Sequence, residues 1–183
     1  MELNLLEKLS HLPKVEHPSL KGRDDANPYY DFLYYVAREV SPKYIVELGT
    51  NWGDSACRFA YGAPEAKVVT IDITYSPVQT ETCKLFPNIE IWTENTNDLS
   101  LPAKLAKNGE IDILFIDTEH NLPQAWGEYL NYGSLVKKGG IILYDDIELN
   151  DEMREFWKKI PEPKIALKHL HWSGFGASIQ NTK

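Results

Sequence analysis

Short apolar runs alternate with amphipathic segments along most of the chain. Five runs have the length of β-strands, and turn residues or segments with helical spacing separate them. These runs are KYIVEL, AKVVTIDI, NIEIWTE, IDILFID and GIILYDD. VVTIDI and IDILFID are apolar almost throughout, which is typical of strands that are buried on both faces. The pattern predicts an α/β domain with a mostly parallel sheet and helices on both faces.

The last two predicted strands, KIALKHLHW and FGASIQN, follow each other with no helix between them. We therefore expect a C-terminal hairpin that adds an antiparallel strand and completes a sheet of seven strands. His169 and His171 alternate on the first of these strands, so we expect them to share one solvated face. Gly139 and Gly140 are expected to form the turn that precedes GIILYDD, and PVQTETCKLF is expected to form a short helix.

The N-terminal segment, residues 1–27, precedes the alternating pattern. It begins with a short amphipathic stretch, with Leu3, Leu6 and Leu9 on one face, and continues with a polar stretch rich in turn formers. We interpret it as a helical and loop segment and as a candidate lid, because acceptor loops commonly lie at the rim of a site. Residues 28–183 are expected to form one domain.

Composition narrows the range of functions. The 183 residues are 43% hydrophobic and 25% charged, which is ordinary for a soluble globular protein. The net charge of -8, without a long run of Lys or Arg, argues against nucleic acid and anionic membranes as partners. Only Cys57 and Cys83 occur, so a disulfide scaffold or a cysteine zinc site is not expected. The N-terminus is too polar for a signal peptide, and we expect a cytoplasmic protein.

Acidic residues fall at the carboxyl ends of four of the predicted strands. They are Glu47, Asp72, Asp117, Asp145 and Asp146. In open α/β sheets, ligands bind beyond these strand ends. An acid there often caps the following helix, which explains one such residue easily but five much less well.

Gly49 and Gly53 flank the first predicted strand-to-helix turn, in VELGTNWGDSA. Glycine lets a backbone approach a ligand closely. The dinucleotide fingerprint G-x-G-x-x-G needs a closer pair and a third glycine, which argues against a dinucleotide-dependent oxidoreductase. Because TIDI follows at the correct strand spacing, Asp72 falls where a ribose diol is hydrogen-bonded in such folds.

Several motifs together resemble those of class I S-adenosylmethionine-dependent methyltransferases, in particular the small O-methyltransferases of the catechol and macrocin type. The motifs are VELGTNWGDSA, VTIDI, ENTND and LFIDTEHNLPQAWGEYLNYGSLVKKGGIILYDDI. The resemblance extends over roughly residues 27–181. It implies a Rossmann-like class I methyltransferase fold, with S-adenosylmethionine as the cofactor.

The resemblance assigns residues around the first turn to the methionine end of the cofactor. Glu47 is expected to contact its amino group, and Ser55 its carboxylate, which the N-terminus of the following helix also favours. Gly49, Asn51 and Gly53 form the turn beneath it.

For the nucleoside end, the resemblance implies that Asp72 binds the ribose hydroxyls. Ile73 would lie beside the adenine, and Thr96 and Asn97 at the adenine edge. Asp117 is expected to take part in cofactor binding as well as in catalysis.

Asp117, Asp145 and Asp146 match the oxygen ligands of the metal-dependent branch of this family. Such ligands suit Mg²⁺ or another hard divalent cation, which could bind a substrate oxygen and lower its pKa. The catechol enzymes have Asp-Asn where this chain has Asp145-Asp146, so the site would be more negative here. The alternative is that Asp146 caps the next segment and that Asp117 only orders a loop.

His120 lies three residues after Asp117, where catechol-type enzymes carry the basic residue that removes the substrate proton. A histidine suits general base catalysis near neutral pH. The alternative is a loop histidine that is bonded to an aspartate.

The leading hypothesis is therefore an O-methyltransferase that acts on a small-molecule or sugar hydroxyl, with assistance from a divalent metal left open. The alternative is a catalytically inactive nucleotide- or metal-binding protein with the same fold. Relatives modify sugars, phenols and natural products, and the sequence does not choose among these acceptors. Because relatives often dimerise, a homodimer is also considered.

Overall fold

The computed structural model describes residues 2–16, 28–77 and 80–181. Its helices are α1 (Leu3–Leu9), α2 (Tyr29–Val40), α3 (Asp54–Gly62), α4 (Leu101–Ala106), α5 (Leu122–Gly133) and α6 (Asp151–Lys159), with a 3₁₀ helix over Glu81–Leu85. Its strands are β1 (Tyr44–Leu48), β2 (Lys67–Asp72), β3 (Ile89–Thr93), β4 (Ile111–Ile116), β5 (Val136–Tyr144), β6 (Lys164–Ala166) and β7 (Gly176–Ile179).

The seven strands form one sheet in the order β3-β2-β1-β4-β5-β7-β6. Strands β1 to β5 pair in parallel, and β7 pairs antiparallel to both β5 and β6. This confirms the predicted Rossmann-like, mostly parallel sheet with a C-terminal antiparallel hairpin. The chain runs outward from β1 to β3 and then returns to β4 on the other side of β1. The carboxyl ends of β1 and β4 therefore flank a topological switch point, where ligands bind in such folds.

Helices cover both faces of the sheet, as predicted. Neighbouring residues of β1 point to opposite faces, so Ile45 belongs to one buried core and Val46 to the other. The first core lies against α1, α2 and α3, and the second lies against α4, α5 and α6. Strands β1 and β4 are buried along their whole length, which explains their nearly continuous apolar sequences.

The N-terminal helix α1 packs on the domain. Its Leu6 and Leu9 are buried in the first core, together with residues of α2. The Nε2 atom of His169 lies within hydrogen-bond distance of the Ser10 hydroxyl and carbonyl oxygens, just after α1. Residues 17–27 of the candidate lid lie outside the described residues, so the lid remains a prediction.

The C-terminal hairpin differs from its prediction. Strand β6 ends at Ala166, and residues 167–175 form turns, so the expectation that His169 and His171 share one solvated strand face is wrong. Leu167 and Leu170 are both buried at a spacing of three residues, which a strand with alternating faces cannot provide. Tertiary packing therefore replaces the strand with a turn.

Two further local predictions are corrected. Gly139 and Gly140 lie inside β5, where they exchange backbone hydrogen bonds with Gln180, and α5 instead ends through Ser134 and Leu135. PVQTETCKLF forms a 3₁₀ helix over Glu81–Leu85, while residues 78–79 lie outside the described part of the chain. Helix α6 is capped by Asn150, whose side chain accepts a hydrogen bond from the Met153 backbone N–H at 2.9 Å.

Among the residues that the structure describes, no helix combines the length and apolar character needed to cross a membrane.

Candidate active site

A cavity of about 380 Å³ opens at the carboxyl edge of the sheet, beside the switch point. Eight of the predicted site residues line it: Gly49, Asn51, Asp72, Ile73, Thr96, Asn97, Asp117 and His120. Five others do not belong to its lining: Glu47, Gly53, Ser55, Asp145 and Asp146. The cavity is therefore built mainly from the segments that follow β1, β2, β3 and β4.

Gly49 is required by the close approach of two strand ends. Its φ of +100° lies in the region that favours glycine, and a Cβ there would stand 1.7 Å from the backbone oxygen of Asp117. Its N–H donates to the Ile71 carbonyl at 2.8 Å, which ties the turn to β2. Gly53 is also constrained, with a φ of +76°. A Cβ there would stand only 2.3 Å from the Cys83 sulfur, so glycine makes room for that side chain. Packing, and not contact with the cavity, accounts for Gly53.

Glu47 is a fully buried carboxyl group near the end of β1. Its Oε2 accepts a hydrogen bond from the Thr70 hydroxyl at 2.6 Å, whereas Oε1 finds no donor among the described residues. Burial raises the pKa of Glu47 to about 8, although the nearby Ser55 and Thr70 hydroxyls partly oppose this. A buried acceptor without a donor is costly, so this atom suits a donor that a ligand would bring.

Asp72 holds the turn between β1 and α3. Its Oδ2 accepts hydrogen bonds from the Thr50 and Asn51 backbone N–H groups, each at 3.0 Å. Its Oδ1 accepts from the Thr74 backbone N–H at 3.1 Å. The same carboxylate lines the cavity, so it fixes the turn and presents oxygen lone pairs to a ligand.

The segment after β3 is anchored to α5 by Glu128, a buried residue that the sequence analysis missed. The hydroxyls of Thr96 and Thr118 donate to its two carboxylate oxygens at 2.6 and 2.7 Å. The Gln124 side-chain amide donates to the same carboxylate at 2.6 Å. Burial raises the pKa of Glu128, and these hydrogen bonds oppose the rise. Its signal in the sequence is faint: one acid within the otherwise uncharged stretch QAWGEYL.

The acids that follow β4 and β5 form one continuous cluster with two histidines. One triad contains Asp117, His120 and Asp146, and another contains Asp145, Asp146 and His171. Within each triad, one ligand atom per residue lies within 4.8 Å of the others. Asp146 is shared, so it connects all three predicted metal ligands. We call these five residues the acidic cluster.

The two histidines contact the carboxylates directly. The Nε2 of His120 lies 2.5 Å from Asp146 Oδ2 and 3.7 Å from Asp117 Oδ1. The first is an ion-pair contact rather than an aligned hydrogen bond. The Nδ1 of His171 lies 2.8 Å from Asp145 Oδ1. His171 is therefore part of the site, although its position in the sequence predicted solvent exposure.

The pKa values in the acidic cluster follow from burial and mutual contact. Asp117 and Asp146 raise the pKa of His120 to about 10, so His120 carries a proton at neutral pH in this arrangement. Burial raises the pKa of Asp145 to about 7, against the opposing effect of His171. For Asp146, burial acts upward, but His120 and Ser173 together hold its pKa below the ordinary value. The histidines thus compensate the negative charge of the cluster.

The backbone of Asp146 is held in an uncommon conformation, with a φ of +57°. The Ser173 hydroxyl donates to its Oδ1. The residues after it are fixed by the turn before β7, since Ile147 N–H donates to the Gly174 carbonyl and Glu148 N–H to the Ser173 carbonyl. Because Asn150 caps α6, the side chain of Asp146 is not used as that helix cap.

The sequence of residues 46–147 matches a family that is described as "Methyltransferase domain". A search of curated proteins gives no match. Solved structures with a similar fold include the O-methyltransferase TomG from Streptomyces achromogenes, in complex with S-adenosylmethionine (SAM). It is 18% identical, with a TM-score of 0.73 over 98% of this chain and 96% of TomG.

Two further solved structures are similar. The O-methyltransferase from Bacillus cereus, in complex with S-adenosylhomocysteine (SAH), is 18% identical, with a TM-score of 0.69 over 96% of this chain and 97% of that one. The mycinamycin-pathway methyltransferase MycE, in complex with Mg, SAH and mycinamycin VI, is 18% identical, with a TM-score of 0.51. That match covers 80% of this chain but only 37% of MycE. At these identities, the structural matches establish a shared fold.

Proposed function

The chain belongs to this methyltransferase domain family, and we propose that it binds S-adenosylmethionine and methylates a hydroxyl group of a small-molecule acceptor. The observation that carries the proposal is the Oε1 atom of Glu47, which finds no donor among the described residues and lies two positions before Gly49 in the cavity lining. The α-amino group of a methionine moiety is a cationic donor, and it would satisfy this buried acceptor. TomG and the B. cereus enzyme, which share the fold, were solved with SAM and SAH.

The residues around the turn suit an amino-acid end of a ligand. Gly49 and Asn51 line the cavity, and Gly49 contributes backbone to the lining with no side chain in front of it. Ser55 lies in the first turn of α3, where the helix dipole favours a carboxylate. Gly53 acts indirectly, by allowing the turn to pack on Cys83.

The remaining cavity suits a nucleoside. Asp72 can accept hydrogen bonds from ribose hydroxyls while it retains its backbone donors. Ile73 is 66% exposed and lines the cavity, so it offers an apolar surface to a base. Thr96 and Asn97 lie on the segment that follows β3, and they complete this part of the lining.

When bound, the cofactor would supply an electrophilic methyl group on its sulfonium. The chain's own task is then mainly orientation, because an aligned acceptor oxygen reacts far faster than a freely diffusing one. Asp117 and His120 line the cavity and lie at the mouth of the acidic cluster. We assign them to holding the acceptor hydroxyl and removing its proton.

We propose that a divalent cation binds at Asp117, Asp145 and Asp146. Carboxylate oxygens are the donors that Mg²⁺ prefers, and Asp146 connects the other two acids into one cluster. When bound, the cation would lower the pKa of an acceptor hydroxyl and offset the carboxylate charge that keeps His120 protonated. MycE, which shares the fold, was solved with Mg.

The acceptor class that we propose is a sugar, a phenol or a related natural product. Trp172 is 81% exposed and follows His171, so an aromatic surface stands beside the acidic cluster. Aromatic faces bind the apolar surfaces of sugars and phenols. The net charge of -8 makes a nucleic-acid acceptor unsuitable.

The direct test is the formation of SAH from SAM in the presence of a panel of hydroxylated sugars, phenols and natural products, with Mg²⁺ or with a chelator. We expect turnover with at least one acceptor. We expect His120→Gln to lower kcat by roughly 10²- to 10⁴-fold with little change in SAM affinity. His11→Gln, on the surface near α1, is the matched control. Tight SAM binding without turnover on any acceptor would favour the inactive alternative.

A further inference from the structure

We propose that Gln124 and Asn97 together recognise the amino edge of the adenine base, and that the buried Glu128 is a positioning residue that sets the orientation of the Gln124 amide. The inference rests on the proposed function, since it concerns the base of the same nucleoside. It assigns a specificity-determining role to Gln124, which lies on α5 and lines the cavity.

The cavity leaves one region for the base. The Gly49 turn and Asp72 account for the amino-acid end and the ribose. Ile71 and Ile73 lie on either side of Asp72, and Asp117 and His120 are assigned to the acceptor. The rest of the lining comes from residues 95–97, from residues 118–119 after β4, and from Gln124. Three amide side chains lie in this region, those of Asn95, Asn97 and Gln124. The Asn95 oxygen accepts from the Asn97 backbone N–H at 2.9 Å, whereas the Asn97 and Gln124 amides hydrogen-bond to each other, so we take this pair as the partner of the base edge.

Both N–H groups of the Gln124 amide are already used inside the protein. Its Nε2 donates to Glu128 Oε1 at 2.6 Å and to Thr96 Oγ1 at 2.9 Å. The Thr96 hydroxyl in turn donates to Glu128 at 2.6 Å, so each group has a consistent role as donor or acceptor. An amide nitrogen has only two protons, so Nε2 has nothing left to donate to a ligand.

The hydrogen-bonding capacity that remains for a ligand therefore lies on Gln124 Oε1 and on Asn97 Nδ2. The Gln124 Oε1 accepts from Asn97 Nδ2, which leaves one lone pair on this oxygen. The second N–H of Asn97 has no partner among the described residues. The pair thus offers one acceptor and one donor side by side.

This pattern is complementary to adenine. Adenine presents an amino group that donates and, beside it, the ring nitrogen N1 that accepts. In nucleic-acid complexes a side-chain amide pairs its oxygen and its N–H with adenine in the same complementary way, there through N6 and N7. Hypoxanthine replaces the amino group with an acceptor, and its neighbouring N1 becomes a donor. It would therefore place an acceptor against the Gln124 oxygen and a donor against the Asn97 N–H, and neither contact can form a hydrogen bond.

Glu128 makes the amide orientation unambiguous. The amide of glutamine looks nearly the same after a half-turn, and the surrounding network decides which atom points where. The carboxylate oxygen at Glu128 accepts hydrogen bonds, so it draws the nitrogen of Gln124 inward and leaves the oxygen toward Asn97. The Tyr132 hydroxyl, which donates to the Thr96 carbonyl at 2.6 Å, holds the opposite side of this network.

The test is calorimetric titration of SAH and of its deaminated analogue, S-inosylhomocysteine. For the unchanged protein, we expect SAH to bind at least about tenfold more tightly than the analogue. In Gln124→Leu, SAH affinity should fall to near that of the analogue. In Glu128→Gln, the new amide can donate as well as accept, so the selectivity for SAH over the analogue should drop. Thermal unfolding of this variant shows whether it keeps the fold. Glu155→Gln, half-exposed on α6, is the matched control.

Equal affinity of the unchanged protein for the two nucleosides would overturn this inference and leave the proposed function intact. Unchanged selectivity in a folded Gln124→Leu protein would also overturn it. Failure of both ligands to bind the unchanged protein would instead contradict the proposed function itself. Gln124 lies on the helix surface with a partly exposed side chain, so its variant stays informative if Glu128→Gln does not fold.

Discussion

The turn between β1 and α3 and the acidic cluster lie at the same edge of the sheet, yet they are held in different ways. The turn depends on a glycine conformation and on neutral backbone N–H groups that bond to Asp72. The cluster depends on histidine charges that offset neighbouring carboxylates. The first arrangement is set by the covalent backbone, whereas the second depends on the protonation of its side chains and therefore on pH. This separation places a turn whose geometry does not depend on pH next to a cluster with adjustable charge.

The largest expected effect comes from breaking the backbone of the turn with Gly49→Ala. The added Cβ would overlap the Asp117 carbonyl at 1.7 Å, in addition to the cost of the positive φ. We expect a loss of roughly 3 kcal/mol or more in the free energy of unfolding, measured by chemical denaturation. Gly109→Ala is the matched control, because Gly109 has a φ of +110° but open space around it. It should cost only about 1 kcal/mol. Similar losses in both variants would argue against the close approach as the cause.

Replacing Glu47 with Gln tests the buried acceptor for which the described residues supply no donor. The folded protein keeps a proton on Glu47 up to about pH 8, while the unfolded chain loses it near pH 4.5. The stability of the unchanged protein should therefore fall, relative to Glu47→Gln, as the pH rises through this window, by up to about 1.4 kcal/mol per pH unit. Denaturation at several pH values measures this difference in stability. The SAH affinity of Glu47→Gln should be weaker than that of the unchanged protein. Parallel stability profiles would show that Glu47 is not perturbed by burial.

Asp72→Asn tests whether the acid that holds the turn also binds the ribose. One oxygen remains to accept from the backbone, but the charge and half of the acceptor capacity are lost. We expect SAH binding to weaken by about 1–3 kcal/mol, measured by calorimetry. Asp98→Asn, on the exposed segment after β3, should leave the affinity unchanged. An unaffected affinity in Asp72→Asn would remove Asp72 from the cofactor site.

The smallest of these effects is expected in the acidic cluster, from Asp146→Asn. This change removes a charge that the two triads share. We expect the affinity for Mn²⁺, used as a spectroscopic substitute for Mg²⁺, to fall about tenfold while SAH affinity stays nearly constant. Asp151→Asn, on the surface of α6, serves as the control. A cluster that binds no cation before the mutation would contradict the metal proposal.

The fold and the general position of the site follow from local features of the sequence. Apolar runs of strand length predicted the parallel strands, because buried strands leave a nearly continuous apolar sequence. Acids at the ends of these runs predicted the edge at which Asp72, Asp117 and Asp146 gather, because parallel strands share one carboxyl edge. The roles of the individual residues within the site remain predictions.

His171 and Glu128 could not be assigned from the sequence, because their roles depend on distant partners. His171 contacts Asp145, 26 positions earlier, only because residues 167–175 turn to bury Leu167 and Leu170. Glu128 meets Thr96 across 32 positions, only because α5 packs beside the segment after β3. Neither contact leaves a periodic trace along the chain. Gly53 is the opposite case. Local spacing predicted it as a cofactor residue, whereas the structure places the distant Cys83 sulfur where a Gly53 side chain would lie.

The most direct test of the central claim is calorimetric titration of SAM and SAH into the protein, with and without Mg²⁺. The account predicts micromolar or tighter binding of both, which depends on Glu47 and is largely retained without the cation. A further heat change that Mg²⁺ produces and Asp146→Asn removes would support the acidic cluster as its binding site. No binding of either ligand in either condition would contradict the claim that this turn and cavity hold a sulfonium cofactor.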